Sequence, residues 1–533
     1  ESIVADDTSN TMEERSSIPP EQRSIAYQRT MSISTTASGR LSFSFLDTSL
    51  FRGTNLVDLM QWNASVFSDR PCTPEYYGLS HPVSVIDVFI SHNWSTHRAL
   101  KFLIFALDYN TTAAIVASNM AVLPMFILQV FGKLPVYPVV YTFLWKSAPA
   151  GVCCSAVGTL VFFLVFFFWQ SFRRLLGRKG PVFFLDKTCV CQTDADLKRR
   201  GIMSLSAFLY NSRSMLILYS DAYLQKLWTI YEIASFLLIY PNGSLHVRPV
   251  FVPVLVLVCM CIVLTMRVLD VIWRTNHKND EEVWLHFPRA ERILMVSTTF
   301  LTTSVLYWWV GKQAQISARV KTFSIQNAKC ASQDDRAIVE QDVARLTQQF
   351  GVAPEGATKS ESLDAFNALV RKSVPRVLRQ SIGRVGIHYR DAVLLYGFFH
   401  FSTLDRLSGM IAAGTSARTV ALKAFAITNV YLVYGPLIFV GFAVWLSRFC
   451  IRPYFSVVQP ALIVAISTTV FCVAVVVWIA VGHLMVAAET SNKFLVLFVC
   501  VQGCLYSLTF VAYRPTSSSC MLIRGRAEDS HVS

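Results

Sequence analysis

Charge is what this chain lacks most. Of 533 residues only 15% are Asp, Glu, Lys or Arg, while 53% are hydrophobic and the mean hydropathy is +0.44. Soluble domains carry nearer a quarter charged residues, so the deficit points to an integral membrane protein. Acidic residues are the scarcer sign: 34 Asp and Glu against 48 Lys and Arg leave a formal charge of +14. In a membrane protein such an excess belongs to cytosolic loops beside anionic lipid. A basic stripe interleaved with exposed aromatics is missing, which argues against nucleic acid as a partner. Metal-type cysteine spacing is missing too. The 13 cysteines are scattered, many inside apolar runs, and Cys189 and Cys191 are one residue apart, not two. No signal peptide is visible, because the first sixty or so residues are polar.

What is present is a series of apolar runs long enough to span a bilayer, which takes about 20 helical residues. They fall at about 111–132, 151–170, 249–268, 291–311, 420–446, 456–482 and 494–512. Arg173, Arg174, Arg178 and Lys179 directly follow the second run and place that end in the cytosol. The connector 269–290 contains Asp270, Asp280, Glu281 and Glu282 and suits the outer face. Residues 313–418 hold Lys and Arg in excess and read as a cytosolic helical segment, with helical spacing of Ile338, Val339, Val343 and Leu346. After that the charge rule fails: Arg448 and Arg452 fall on the side that alternation assigns to the exterior. Six and seven spans both stay open.

The remaining organisation follows. Residues 1–80 read as a disordered cytosolic tail, rich in Ser and Thr (MSISTTASGRLSFSF), and 514–533 as a second tail. Residues 111–170 form a transmembrane hairpin, 249–312 a second one, and 419–513 the C-terminal membrane segments. Sequons at Asn63, Asn93, Asn110 and Asn242 all lie in segments assigned to the cytosol or its boundary, where they stay unmodified.

With the first hairpin removed, residues 83–110 and 180–248 read strand, helix, strand, helix, strand, helix. PVFFLD is the second strand. SMLILYS is the third, apolar throughout as in a buried parallel strand. HVRPVFVPVLV supplies a fourth before the third membrane run. Such alternation implies a doubly wound parallel sheet. The expected fold class is therefore α/β plus membrane all-α: a flavodoxin-like parallel sheet with about six or seven transmembrane helices.

Three stretches in order resemble the Toll/interleukin-1 receptor (TIR) family. IDVFIS (Ile86–Ser91) resembles its first-strand motif. Asp186, Leu197, Gly201 and Ile202 follow its second strand and the loop after it. SMLILYSDAYLQKLWTIYE (Ser214–Glu232) resembles its third strand and next helix. The match covers about a fifth of the chain. It departs from the family at Thr229, where Cys is usual, at His92, in having four strands rather than five, and in the hairpin itself.

The resemblance implies a membrane-bound signalling protein, adaptor or receptor, that acts by homotypic assembly with other TIR-like domains or with itself. It also implies a second activity, since some TIR domains cleave NAD at the nicotinamide–ribose bond with a Glu at the position of Glu232. NAD is then a substrate, and no cofactor is called for. Loss of nicotinamide leaves an oxocarbenium-like sugar, which a fixed carboxylate stabilises. Trp228, four residues before Glu232, lies on the same helix face and is placed to wall a nucleotide pocket. Ser91, His92, Asn93 and Trp94 follow the first strand, at the carboxyl end of the sheet where such folds bind ligands. A channel or transporter is a third reading, with little intramembrane charge in the terminal runs to support it.

Overall fold

A computed structural model describes residues 31–35, 41–45, 47–139, 148–220, 222–240, 243–276, 320–330, 333–382, 388–395, 397, 399–437 and 459–513. The apolar run at 291–311, Asn242 and the basic pair Arg448 and Arg452 lie outside the described residues. A six-stranded sheet is the centre of the polar half. Its strands are β1 (Arg52–Asn55), β2 (His81–Pro82), β3 (Ile86–His92), β4 (Val182–Phe184), β5 (Ser212–Tyr219) and β6 (Ser244–Pro249). Their order is β6-β5-β3-β4-β1-β2. β3, β4, β5 and β6 are mutually parallel, and β1 and β2 add antiparallel at one edge. The stretches on either side of the hairpin thus pair directly: Val88 opposite Phe183, and Ile90 opposite Leu216. Asp87 reinforces both junctions. Its Oδ2 accepts from Val182 N at 2.8 Å and its Oδ1 from Arg213 Nη1 at 3.2 Å.

The hairpin is an insertion into the β3–β4 crossover. Helix α1 (Arg98–Tyr109) leaves β3 and packs on one face of the sheet. At Asn110 the chain continues into α2 (Thr111–Val130) and returns as α3 (Cys153–Leu175). An inserted loop is tolerated because closure entropy grows only slowly with length. Its root is fixed by a buried polar clamp. Asn110 Nδ2 donates to Phe166 O at 2.8 Å, and Gln170 Nε2 donates to Asn110 Oδ1 at 2.6 Å. Asn93 and Asn110 are both buried, so neither sequon is accessible.

The second face carries α4 (Ala195–Met203), α5 (Leu205–Tyr210) and α6 (Leu227–Ile239). Beyond β6, α7 (Val252–Asn276) departs. Then α8 (Gln333–Gln349) and α9 (Lys359–Ile382) return to the sheet domain. Val339, Val343, Leu346, Phe366 and Val370 join the same apolar cluster as Ile217, Ile230 and Phe236. Tyr231 Oη and Ser206 Oγ both donate to Asp342 Oδ2 of α8. α6 is apolar on every side, which demands cover on every side. Sheet and helix pair together supply it.

α10 (Tyr389–Leu395) and α11 (Phe399–Ala412) run beside the hairpin from its root to its far end. At the root, Arg248 of β6 forks onto Asp108 of α1 and reaches Asp391 Oδ2 at 3.0 Å, while Arg390 Nη2 meets Asp108 Oδ1 at 2.7 Å. Midway, His400 Nε2 lies 2.9 Å from Asn119 Oδ1. A Cβ on Gly158 would come within 2.7 Å of Phe401, so only glycine admits that ring. At the far end Asp405 caps α3: it accepts from Cys154 N (2.9 Å), Ser155 N (2.8 Å), Ser155 Oγ (2.6 Å) and Gln129 Nε2 (2.9 Å). A carboxylate suits a helix N-terminus, where amides lack partners and the dipole is positive.

The chain returns through α12 (Ala417–Asn429), continuous to Leu437, and closes with α13 (Gln459–Thr490) and α14 (Asn492–Tyr513). Tyr513, at the end of α14, packs edge-on against Tyr389, so α14 ends at the hairpin root. Four described helices are long and apolar enough to cross a membrane: Thr111–Val130, Cys153–Leu175, Ala417–Leu437 and Asn492–Tyr513.

Two sequence expectations differ from this architecture. The tail assigned to 1–80 contains, from Asp47 on, a folded part of the domain. β1 and β2 sit in the sheet, and Leu56, Leu59 and Phe67 are buried. Its strands of four and two residues are too short to show a period-2 pattern. The segment 313–418, read as one cytosolic unit, divides between the sheet domain (α8, α9) and the hairpin (α10, α11). Its charges hide the second part from hydropathy, and those of Asp391 and Asp405 are met by partners inside the protein.

Candidate functional site

Strand alternation decides which residues share a side at the carboxyl end of β3. Phe89 and Ser91 face α6; Ile90 and His92 face α1. β3 is also where the strand order turns, since the chain goes from β3 to β4 on one side and then to β5 on the other. Ligands of open α/β sheets bind at that crevice.

On the α6 side Ser91 Oγ donates to Glu232 Oε2 at 2.5 Å and lies 2.5 Å from Tyr223 Oη. Tyr223 is completely buried and accepts from Thr229 Oγ1 at its carbonyl, which fixes the turn into α6. Thr229, where the TIR pattern has Cys, therefore has a structural task. Glu232 keeps partial solvent contact, but protein surrounds its carboxyl group. Desolvation raises its pKa to about 8; the Ser91 bond opposes the rise and the nearby Asp186 adds to it.

That shift is linked to stability. Folding favours protonated Glu232, so its contribution is complete below about pH 4.5 and is lost as pH rises through about 8. At about 1.4 kcal/mol per unit the cost is on the order of 3–4 kcal/mol by neutral to slightly basic pH, an upper figure for a group with solvent contact. Glu232→Gln is expected to melt close to wild type near pH 5 and well above it near pH 8, by a few degrees per kcal/mol. Thermal unfolding followed by circular dichroism at the two pH values checks this.

On the α1 side His92 packs edge-on against Phe67 and Trp94, with ring centroids 5.7 and 4.5 Å away. Trp94 Nε1 donates to Asp186 Oδ2 at 2.8 Å. Lys187 Nζ donates to the carbonyls of Ser68 and Arg70. Lys101, completely buried, places its Nζ 5.0 Å from the Trp94 ring and 5.7 Å from the Phe67 ring. Burial lowers the His92 pKa well below its ordinary value and that of Lys101 to about 8.

The expected residues are therefore brought to one sheet end but onto two sides of it. Ser91 meets Glu232. His92 and Trp94 form a separate cluster across the strand. Asn93 bends locally, its Oδ1 accepting from Ser95 N at 3.1 Å. Trp228 packs edge-on against Tyr231 at 5.9 Å and against the core. Sequence reasoning missed Tyr223, Lys101 and Lys187 as site residues. A signal for Lys101 existed: it shares a helical face with Ile104 and Phe105 in an otherwise apolar helix. No protein family matches the chain, and no curated protein or solved structure matches it either.

Proposed function

We propose that the chain is a multi-pass membrane signalling protein whose cytosolic TIR-like domain cleaves NAD at the nicotinamide–ribose bond, with Glu232 as the charge-stabilising carboxylate. One observation carries the reading: Ser91, before the hairpin, and Glu232, after it, share a hydrogen bond at the point where strand order turns. The parallel strands run second-first-third-fourth, which supports a flavodoxin-like, TIR-like arrangement, and α9 packs on β6 beyond the fourth strand. A desolvated carboxylate suits a reaction that develops positive charge on the sugar. A ligand with a cationic nicotinamide ring favours the ionised form and so recruits it on binding. Assembly through α6 or the β6 edge is less well supported, because α8 and α9 of the same chain cover both. Full-length protein in liposomes is expected to release nicotinamide from NAD without a change in oligomeric size. Clustering on NAD addition with no release would overturn this reading in favour of assembly.

The same proposal assigns topology. α10 and α11 share the hairpin's span from Asp391, bridged by Arg248 to Asp108 at its root, to Asp405, bonded to Gln129 at its far end, and so cross the membrane with it. This adds one crossing to the seven apolar runs. The run at 420–446 then reverses direction, and Arg448 and Arg452 fall on the cytosolic side, which removes the conflict with the positive-inside rule. In a background without reactive cysteines, Ala413→Cys is expected to react with an impermeant maleimide on intact cells. Glu355→Cys, between α8 and α9, is expected to react only after permeabilisation. The opposite pattern would refute the crossing.

A further inference from the structure

Buried polar atoms without a hydrogen-bond partner are rare, and each needs a reason. Among the described residues, Ser68 Oγ, His92 Nε2, Asn93 Nδ2 and Lys101 Nζ are such atoms, and all belong to the carboxyl end of the sheet. All four residues are at least nine-tenths buried. The neighbouring charges are already committed. Asp186 accepts from Trp94 Nε1 and from Lys187 N at 2.8 Å each, and Lys187 Nζ is held by two carbonyls at 2.8 and 2.9 Å. Of these groups, Lys101 is the cation whose ammonium has no hydrogen-bond acceptor, and it lies against the faces of Trp94 and Phe67. Asp186, and less strongly Asp69, act on it only through space. What this nook lacks is a group rich in acceptors and negative in charge.

The nook is covered by the segment that carries Phe67 and Ser68. Just before that cover, Trp62, Asn63 and Ala64 have φ of 50°, 53° and 54°. Three consecutive non-glycine residues in the left-handed region are strained, by about 1–2 kcal/mol each. Trp62 is 82% exposed, so its side chain contributes little packing to offset that strain. The cover is packed into the core by Val66 and Phe67 and tied by Lys187 to Ser68 O and Arg70 O, and the strained turn at its entry supplies free energy toward lifting it.

We propose that Lys101, with His92, Asn93 and Ser68, forms a phosphate site under this cover, and that it takes the pyrophosphate of the dinucleotide whose glycosidic bond lies at Glu232. The assignment rests on the NAD reading above. It supplies what that reading leaves unassigned: how the ligand is anchored away from the reacting carbon. Ser91 and His92 are consecutive and point to opposite sides of the strand end, so a ligand laid across the crevice reaches both clusters.

The test is calorimetric titration of the full-length protein with inorganic pyrophosphate, and with ADP as the nucleotide arm. Lys101→Met keeps the volume and removes the charge. Loss of a charge-assisted contact is expected to weaken both ligands about 10- to 100-fold. The same substitution removes a buried cation without an acceptor, so the unliganded variant is expected to melt at or above the wild-type temperature. A lysine with a purely structural role would not show that combination. Ser68→Ala, which leaves the charge in place, is expected to weaken binding less than Lys101→Met.

Unchanged pyrophosphate affinity in folded Lys101→Met overturns the site. So does anionic-lipid vesicle binding that depends on Lys101 while pyrophosphate and ADP do not bind, since the phosphate is then a headgroup. The two readings separate cleanly. Lys101-dependent pyrophosphate binding without nicotinamide release rejects the glycosidase alone. Release that Lys101→Met leaves unchanged, and that pyrophosphate does not inhibit, rejects the phosphate site alone.

Discussion

Glu232→Gln is expected to lower nicotinamide release by about 100- to 1,000-fold, the scale on which loss of one preorganised electrostatic partner slows an enzyme. Gln keeps the size of the side chain and can still accept from Ser91, so the loss reports charge and not folding. The wild type adds a pH signature. With its pKa raised to about 8, only roughly a tenth of free Glu232 is ionised at neutral pH. kcat/KM is therefore expected to climb about tenfold per pH unit up to about 8 and then level off. Ser91→Ala removes a hydrogen bond that favours the carboxylate, so it is expected to move this rise to higher pH. Steady-state rates of the three proteins across the range measure both effects. A flat profile, or a Glu232→Gln variant with wild-type turnover, rejects the assigned role.

Arg248→Met is expected to be the most damaging single change outside the site. Arg248 binds Asp108 in a fork and Asp391 by a third bond, and the side chain of Asp391 is 1% exposed. Burial by itself would raise the Asp108 pKa, yet Arg248 and Arg390 more than offset it and hold it below the ordinary value. The stabilisation is thus present above the unfolded pKa and is lost as pH falls through the folded one. Removing one partner from a buried ion cluster costs about 3–5 kcal/mol, because the remaining charges stay buried and unpaired. Arg390 still touches both aspartates, so a value near about 3 kcal/mol is expected. Thermal unfolding of Arg248→Met measures the loss. Adding Asp108→Asn and Asp391→Asn is expected to recover part of it, because the cost lies in the stranded charges. The cluster joins β6, α1 and α10, so its loss also uncouples the sheet from the helices beside the hairpin.

Three of the parallel strands were legible because each is a short, largely apolar run in a recognisable order; the fourth, SLHVRP, alternates and ends at Pro249, so the second half of the expected HVRPVFVPVLV strand is helix from Val252 on. The hairpin was legible because its runs have bilayer length. Ser91 and Glu232 were both candidate site residues in the sequence, and a hydrogen bond to Ser91 was the structural alternative to a catalytic role for Glu232; Ser91 Oγ lies 2.5 Å from Glu232 Oε2. Other parts were hidden for physical reasons. β1 and β2 are too short to carry a periodic signal. α10 and α11 carry charge, and no hydropathy window shows that Asp405 is neutralised by the amides of α3. The packing of α8 and α9 had a trace in the sequence after all: Leu227–Ile239 is apolar all round, so it needed more cover than one sheet gives. Trp228 shows the limit of helical spacing. Sharing a face with Glu232 did not decide what it stacks on, and it packs against Tyr231. Lys101 was lost because a lone lysine in an apolar helix reads as an exposed one.

The central claim is that residues on either side of the hairpin meet, and that Ser91 holds the carboxyl of Glu232 in a desolvated place. Infrared difference spectroscopy of the full-length protein tests it directly through the C=O stretch of a protonated carboxyl group. The account predicts such a band at neutral pH that fades through about pH 8, is absent in Glu232→Gln and shifts in frequency in Ser91→Ala. A Glu232 that titrates in the ordinary carboxylate range, unaffected by Ser91→Ala, would contradict it.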